Sequence, residues 1–372
     1  MTRFGFIGHF LSMEHLAEVL GPLGRHLRGA ILATKSFIPH LPPFKYVKIG
    51  PICSRAGNET VGFGILCPLL PEHFATLEKR FVQRKVLSAI RLGERLGVSI
   101  VGLGGFTSIC CDEGAAFVGQ VNAMVTSGNT YTAALAVQGV LEAAVRTELP
   151  LEQATLAVIG ATGDIGSGVT RALASRVRRV IIAARNDQRL REFSDELARY
   201  GARSTTIVKH VREAVSQAEV IVSATSAVTT VVEPSDLQPG TILCDIAIPH
   251  SISREVRRLR DDILVFDGGM AKFPPLELMK RNQRWSNLFP QTTEVYGCLA
   301  ETVILALDGH VGNFSVGRGY ITPEKIATIT TMAEKHAFSL GELRCGGAPY
   351  SLDEIAKIRE HVRKRFQRLV HV

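Results

Sequence analysis

The amino-acid sequence predicts an α/β protein with one doubly wound parallel sheet and a second, discontinuous α/β domain. Three observations predict this class. A glycine-rich turn joins a strand-like run to a helical pattern over residues 155–176, further short apolar runs follow it, and the first 149 residues carry an α/β alternation of their own. At 372 residues the chain is long enough for two separate cores.

The glycine-rich turn predicts a Rossmann-type dinucleotide site. Residues 155–159 form an apolar run typical of a strand buried on both faces, and a second such run follows at 180–184. Gly160 permits the sharp turn, Gly163 lets the backbone approach a pyrophosphate, and Gly166 lets the helix pack closely on the strand. The N-terminus of that helix then faces the phosphates. A glycine-rich turn of purely structural use is the alternative.

The residues after the second strand distinguish the two nicotinamide dinucleotides. A site for NAD usually has Asp or Glu there, whereas this chain has Ala184-Arg185-Asn186. We expect Arg185 to pair with a 2′-phosphate, which favours NADPH, and a solvated surface arginine is the alternative. The predicted cofactor-binding residues are Gly160, Thr162, Gly163, Asp164, Ile165, Gly166, Arg185, Asn186, Ala224 and Thr225.

Four more strand-like runs complete a predicted six-stranded sheet. They lie at 204–208, 219–224, 241–246 and 263–266. This sheet places the NADP(H)-binding domain at residues 150–290. The substrate domain is then formed by residues 1–149 and completed by residues 291–372.

The composition, 46% hydrophobic and 21% charged, is that of an ordinary globular protein. No apolar run reaches the roughly 18 residues of a spanning helix, and the N-terminal stretch lacks a signal-peptide cleavage site, so we expect a cytoplasmic protein. The seven cysteines have neither disulfide-framework nor zinc-ligand spacing, so no metal site is expected. The formal net charge of +8 favours an acidic partner, such as nucleic acid, an anionic membrane or an acidic carrier protein.

Several features outside the nucleotide domain are candidates for function. His9 ends the first strand-like run, and a structural histidine is the alternative there. Proline-rich apolar stretches at 37–46 and 62–74 are predicted loops that either wall an apolar tunnel or pack on the core. Two basic helices, at 74–96 and 352–370, either present solvated faces or receive an acidic partner.

Cys298 lies in a helical pattern at 294–307. The sequence around Cys298 alone fits either a buried, unreactive cysteine or a nucleophile. Two loops at element ends, 103–108 and 127–132, carry small hydroxyl and amide side chains. Such side chains donate hydrogen bonds to a carbonyl or a cofactor, or cap a helix.

Taken together, these segments resemble long-chain acyl-[acyl-carrier-protein] reductases, which make fatty aldehydes from acyl-carrier-protein thioesters. The segments are LGGFTS (103–108), SGNTYT (127–132), AVIGATGDIGS (157–167), AARN (183–186), the helix of Cys298, and GNFSVGR (312–318) followed by Ile321-Thr322. They occur in the order and spacing of that family. The resemblance extends from the opening FGFIGH to about residue 340.

The resemblance implies a two-stage, NADPH-dependent reduction. Cys298 attacks the thioester to form an acyl-enzyme, and hydride from NADPH then releases the aldehyde. Thr107 and Ser108 are candidate donors to the developing oxyanion. The implied partners are an acyl-loaded acyl carrier protein or acyl-CoA and an enzyme that consumes the aldehyde. Transient membrane contact suits a lipophilic product, and nucleic acid is not expected.

The sequence departs from the family near residue 310. Family members carry a Trp-His pair shortly before Asn-Phe-Ser, whereas here His310 is followed by Val311 and Gly312. The histidine is therefore displaced by one position, and no catalytic role is assigned to it. Two other functions are open: an NADP-dependent dehydrogenase of a small carbonyl acid with a structural Cys298, and a non-catalytic NADP-binding regulatory protein.

Overall fold

The computed structural model describes residues 1–19, 35–225, 232–247, 255–273, 294–346 and 348–370. The chain divides into two compact units. Unit 1 comprises Met1–Tyr131, Ala271–Arg318 and Ile329–Ser339, and unit 2 comprises Thr132–Met270, Gly319–Thr328 and Leu340–Val372. In the described part of the chain, no helix combines the length and the apolar character needed to cross a membrane.

Unit 1 contains a five-stranded sheet with the order β2-β3-β1-β4-β5. Its strands are β1 (Arg3–His9), β2 (Phe44–Cys53), β3 (Glu59–Cys67), β4 (Ile100–Leu103) and β5 (Met124–Thr126). All neighbours are parallel except β2, which runs antiparallel to β3. The carboxyl ends of β1, β4 and β5 therefore meet at one edge of the sheet.

Unit 2 contains a six-stranded, fully parallel sheet with the order β11-β10-β9-β6-β7-β8. Its strands are β6 (Thr155–Ile159), β7 (Arg179–Ala183), β8 (Thr205–Val208), β9 (Val220–Ser223), β10 (Ile242–Asp245) and β11 (Leu264–Asp267). This is the strand order of a doubly wound dinucleotide-binding sheet, in which the direction of progression reverses between β6 and β9. The predicted fold class and all six predicted strands of this sheet are confirmed.

The remaining elements are helices and three short strands. The helices are α1 (Met13–Val19), α2 (Pro71–Thr76), α3 (Lys79–Arg95), α4 (Phe106–Ile109), α5 (Asn129–Thr147), α6 (Asp164–Leu173), α7 (Asp187–Leu197), α8 (Val211–Ser216), α9 (Glu255–Leu259), α10 (Gly297–Asp308), α11 (Pro323–Lys335) and α12 (Leu352–Val370). The strands β12 (Met270–Lys272), β13 (Glu294–Tyr296) and β14 (Ser339–Leu340) form a separate sheet.

Helices cover both faces of the unit 1 sheet. Val82, Val86 and Ile90 of α3 are buried in one apolar cluster with Ile7 of β1. On the other face, α10 lies so close to β4 that a Cβ on Gly102 would sit 1.9 Å from Thr302 Oγ1. The glycine is needed there because no side chain fits between the helix and the strand.

Two sequence predictions in unit 1 are wrong, and a third is correct except for the start of its helix. The stretches predicted as loops, 37–46 and 62–74, are largely β2, β3, a 3₁₀ turn at Lys35–His40 and α2. The single helix predicted at 74–96 is broken into α2 and α3, because Leu77 and Glu78 take extended backbone conformations (ψ 154° and 131°). The helix predicted from residue 294 begins at Gly297, since 294–296 form β13. The apolar spacing of residues 12–27 predicts a further helix, which α1 begins, and its part beyond residue 19 lies outside the described residues.

The compact units do not share the predicted domain bounds. Residues 132–147 of α5 and the whole of α12 belong to unit 2. A Cβ on Gly139 would lie 2.6 Å from the Phe266 ring, and Arg365 of α12 forms an ion pair of 2.7 Å with the buried Glu219. These contacts join both helices to the nucleotide sheet. The functional division into residues 1–149 with 291–372 and residues 150–290 stays a prediction.

Candidate functional site

The glycine turn of unit 2 has the geometry that its sequence predicts. Gly160 adopts φ +78°, and a Cβ there would lie 2.6 Å from the carbonyl oxygen of Ala224. A Cβ on Gly166 would lie 2.4 Å from the carbonyl oxygen of Gly160, so the helix α6 packs directly on the turn. The turn and the end of β9 thus meet where the strand order reverses, which is where doubly wound sheets bind ligands.

The N-terminus of α6 is open toward an anion. Its N-cap residue is Gly163, which has no side chain to accept the first-turn N–H groups. Thr162 and Ile165 are half-buried beside it, whereas Asp164 is buried and its carboxylate accepts the Gly319 N–H at 2.9 Å. Backbone N–H groups and the helix dipole therefore fit a pyrophosphate at this turn.

The predicted 2′-phosphate residues lie at the exposed end of β7. Arg185 is exposed and follows Ala183 and Ala184 with no acidic residue between them. Asn186 is the N-cap of α7, and its side chain accepts the Arg189 N–H at 2.9 Å. Ala224 and Thr225 are half-buried at the end of β9. The structure thus brings all of the predicted cofactor-binding residues to the carboxyl edge of one sheet.

Cys298 is the second residue of α10 and is held against the end of β5. Gly128, with φ +72°, packs so closely that a Cβ would lie 2.1 Å from Cys298 Cα and 2.4 Å from Cys298 Cβ. The carbonyl oxygen of Cys298 accepts the Thr302 hydroxyl at 2.8 Å. The thiol is thereby fixed at a helix N-terminus beside the carboxyl edge of the unit 1 sheet.

The surroundings of Cys298 keep its thiol protonated at neutral pH. The residue retains some exposed surface, but desolvation dominates and raises its pKa to about 12. The N–H of Leu299 in the first turn opposes this shift, and the charge of Glu301 adds to it. The first-turn N–H is the interaction that would stabilise a thiolate once formed.

Glu301 is fully buried one turn along α10 and is a residue that the sequence analysis missed. One carboxylate oxygen accepts the Tyr131 N–H at 2.7 Å, and the other accepts the Thr126 hydroxyl. The Thr126 hydroxyl oxygen in turn accepts the Gly128 N–H at 3.1 Å. Glu301 therefore fixes the loop that carries Gly128. Its signal in the sequence is a single charge within the apolar run of α10.

The segments 127–130 and 312–318, distant in sequence, are joined by hydrogen bonds. The carbonyl oxygen of Ser315 accepts from the Ser127 N–H at 3.2 Å and the Ser127 hydroxyl at 2.6 Å. The hydroxyls of Ser315 and Thr130 bond to each other, and Asn313 Oδ1 accepts the Val125 N–H at 2.8 Å. Unit 1 thus assembles the second loop and the GNFSVGR segment around the Cys298 helix.

The hydroxyls of Thr107 and Ser108, predicted as oxyanion donors, already have acceptors. Thr107 Oγ1 donates to the carbonyl oxygen of Gly104 at 2.9 Å, and Ser108 Oγ donates to Glu113 Oε2 at 2.8 Å. Both side chains are buried. Donation to a substrate would therefore require these bonds to exchange, and the role of both residues stays a prediction.

Glu113 is a second buried acid that the sequence analysis missed. Besides Ser108, it binds Arg318 Nη2 at 3.1 Å, and its carbonyl oxygen accepts the Gly317 N–H at 3.0 Å. Its backbone is left-handed, with φ +53°. The acid therefore links the first loop to the GNFSVGR segment. No local pattern in the sequence marks it.

His310 lies far from the Cys298 thiol. His310 follows the C-terminal end of α10, and a rise of 1.5 Å per residue places that end about 15 Å along the helix from Cys298. A partnership between His310 and the Cys298 thiolate is thereby excluded.

His9 is buried at the carboxyl end of β1, and burial lowers its pKa to about 4. Its Nδ1 lies 2.8 Å from the Phe10 carbonyl oxygen and its Nε2 accepts the Phe106 N–H at 3.4 Å, so a neutral His9 fixes the first loop.

Comparisons with known proteins show what the chain is similar to. A family model described as shikimate / quinate 5-dehydrogenase matches residues 142–267. The chain is 31% identical over 345 residues to the long-chain acyl-[acyl-carrier-protein] reductase of Synechococcus elongatus, covering 90% of this chain and 98% of that protein. It is 28% identical over 369 residues to the aminotransferase PigE of a Serratia species, covering 96% of this chain but only 42% of PigE. The quinate dehydrogenase of Corynebacterium glutamicum in complex with NAD is 14% identical, with 70% of this chain and 86% of that chain covered and a TM-score of 0.39.

The sheet order and the glycine turn of unit 2, together with the matching family model and the similarity to the Synechococcus elongatus reductase, define an NAD(P)-dependent reductase with a nicotinamide cofactor. The nearly full-length match to the Synechococcus elongatus enzyme shows which family of such reductases the chain belongs to. The chain belongs to the long-chain acyl-[acyl-carrier-protein] reductase family.

Proposed function

We propose that the protein reduces long-chain fatty acyl-[acyl-carrier-protein] thioesters to fatty aldehydes with NADPH, through an acyl-enzyme on Cys298. The observation that carries the proposal is the placement of Cys298, which is fixed at the N-terminus of α10 by Gly128. The loops that surround it are those shared with the acyl-[acyl-carrier-protein] reductase pattern. The family membership supports the same substrate class.

The first stage starts from a protonated thiol, because burial raises the pKa of Cys298. The Cys298 sulfur attacks the thioester carbonyl, the bond from carbon to the carrier sulfur breaks, and the thiol proton leaves with the carrier as its free thiol. This exchange needs no net gain or loss of protons. Because the pKa is raised by burial, the resting thiol is protonated at pH 7, and its proton must leave as the substrate arrives.

The second stage uses the cofactor. When bound, NADPH supplies a hydride to a carbonyl carbon. Cys298 departs from that carbon with the bonding electrons and takes up a proton, so the thiol is regenerated and the acyl group leaves as an aldehyde. The first-turn N–H of α10 stabilises the departing sulfur.

The cofactor-binding residues of the proposal are those of the glycine turn and the end of β7. Gly160, Gly163 and Gly166 admit the pyrophosphate to the N-terminus of α6. Arg185 is exposed after β7, where an acid would select NAD, and it provides the cation for a 2′-phosphate.

The decisive experiment is a single-turnover reaction of the purified protein with stearoyl-acyl carrier protein, first without and then with NADPH. Intact-protein mass spectrometry should show an acyl adduct that Cys298→Ala lacks, and extraction should recover octadecanal only after NADPH is added. Protein that binds NADPH but forms neither adduct nor aldehyde would refute the proposal for this substrate.

The same experiment separates the other two functions. A dehydrogenase of small carbonyl acids would form no acyl adduct and would keep its activity in Cys298→Ala. A non-catalytic protein would bind NADPH and turn over nothing. Slow alkylation of Cys298 at neutral pH does not distinguish them, because the raised pKa already predicts a thiol that reacts slowly.

A further inference from the structure

One face of α3 carries four arginines in a row. Arg80, Arg84, Arg91 and Arg95 are all exposed. At 3.6 residues per turn their side chains leave the helix within an arc of about 60°, over a length of about 22 Å. The helix has six basic residues and one acidic residue, Glu94. The carboxylate of Glu94 accepts the N–H groups of Asn122 and Ala123, so it does not neutralise the row.

These arginines have no partner within the described residues. The other basic helix, α12, is the opposite case. Its Arg359 and Arg363 form ion pairs with Glu148 at 3.3 and 2.7 Å, and Arg365 pairs with Glu219. Two helices of similar composition therefore use their charges differently. The arginines of α12 join elements of unit 2, whereas the four arginines of the α3 row face solvent.

The row begins at the carboxyl edge of the unit 1 sheet, and Cys298 lies beside the same edge. α3 connects the parallel strands β3 and β4, so it runs back along the sheet and its N-terminus lies at their carboxyl ends. Lys79, its first residue, pairs with Asp112 at 2.7 Å, next to Glu113 in the loop network. A partner on the row would therefore lie beside the edge where the thioester is attacked.

We propose that the arginine row of α3 is the docking surface for the acidic carrier protein that delivers the acyl thioester, an inference that rests on the proposed function. Guanidinium groups in a straight row pair with carboxylates along a partner helix, often through two hydrogen bonds each. A membrane is a poor occupant because the apolar side of α3 is buried against the sheet, which leaves nothing to insert.

The test compares two substrates that share the acyl group. In Arg84→Glu/Arg91→Glu, the KM for stearoyl-acyl carrier protein should rise about 10- to 100-fold, because the carrier meets repulsion on the row. The kcat/KM for stearoyl-CoA, which brings no acidic protein, should stay within twofold. The control Arg176→Glu/Arg199→Glu changes the net charge by the same amount at exposed sites of unit 2. It should leave the KM for stearoyl-acyl carrier protein and the kcat/KM for stearoyl-CoA unchanged.

Direct binding makes the docking surface testable without turnover. Calorimetric titration with the acyl carrier protein should give a dissociation constant at least tenfold weaker for the row variant than for the control variant. If neither thioester is reduced but this difference holds, the proposed function fails and the docking surface stands. Equal carrier binding by both variants, or selective loss of binding to duplex DNA or phosphatidylserine vesicles instead, would overturn the docking proposal.

Discussion

Substitution of Gly128 by alanine tests how Cys298 is positioned. The new Cβ would lie 2.1 Å from Cys298 Cα, and ordinary contact needs at least 3.4 Å, so the two backbones must separate by about 1.3 Å. Displacement of a reacting group by about 1 Å costs on the order of 100-fold in rate. We therefore expect the rate of acyl-enzyme formation to fall about 100-fold. Overpacking and the positive φ together should lower the free energy of unfolding by about 3 kcal/mol.

Gly119→Ala is the matched control. Gly119 has φ +78° but nothing within 4 Å of an added Cβ, so it carries the backbone strain without the clash. Single-turnover acylation, followed by rapid quench and intact-protein mass spectrometry, gives the rate, and chemical denaturation gives the stability. Acylation by folded Gly128→Ala within threefold of the Gly119→Ala rate would show that this contact does not position the nucleophile.

Three further changes probe separate parts of the molecule. Burial is the main cause of the raised Cys298 pKa, and the charge of Glu301 adds to it, so in Glu301→Gln this pKa should fall and alkylation by iodoacetamide at fixed pH should accelerate severalfold. Arg185→Ala should raise the KM for NADPH about tenfold in steady-state assays while the KM for NADH stays within twofold. The variant loses only the ion pair with the 2′-phosphate, a group that NADH lacks. Arg365→Ala should lower the free energy of unfolding by about 3 kcal/mol in chemical denaturation, because it leaves the buried Glu219 without its cation.

Each of these predictions would be contradicted by a different result. Alkylation that persists when Cys298→Ala is combined with Glu301→Gln would come from another cysteine and would void the first result. Equal changes in the KM for NADPH and NADH would refute the role of Arg185. Lys364→Ala removes only an exposed pair with Glu360 on the same helix. If Lys364→Ala and Arg365→Ala were equally destabilising, α12 would not be held by its buried pair.

The nucleotide sheet was predictable because both faces of its inner strands are buried. Such strands are continuous apolar runs, as in residues 155–159, and they need no alternation to be recognised. β2 and β3 were missed because the stretches 37–46 and 62–74 are rich in prolines, which normally mark loops, and β3 also contains the closely packed Gly62 and Gly64. Their strand character comes from pairing with each other and with β1, which local patterns do not record.

The candidate site was predictable as separate motifs, but not as a network. The loops and Cys298 could be named from resemblance, whereas the acids that hold them together could not. Glu113 binds Arg318, which lies 205 positions later. Tertiary contacts of this kind decide which hydroxyls are already occupied, as for Ser108. The structure therefore changes the chemical interpretation of residues that the sequence locates correctly.

The bonds between the segment 125–131 and residues 301–315 also constrain the order in which the protein matures. Val125 bonds to Asn313, and Ser127 to Ser315, across 188 positions. At 5–20 residues per second, a ribosome needs about 10–40 s to make the chain between these partners. The whole strand series of the nucleotide sheet is synthesised in that interval. The surroundings of Cys298 are thus completed late in synthesis, so a prematurely terminated chain can contain every strand of the nucleotide sheet but neither the Cys298 helix nor α12.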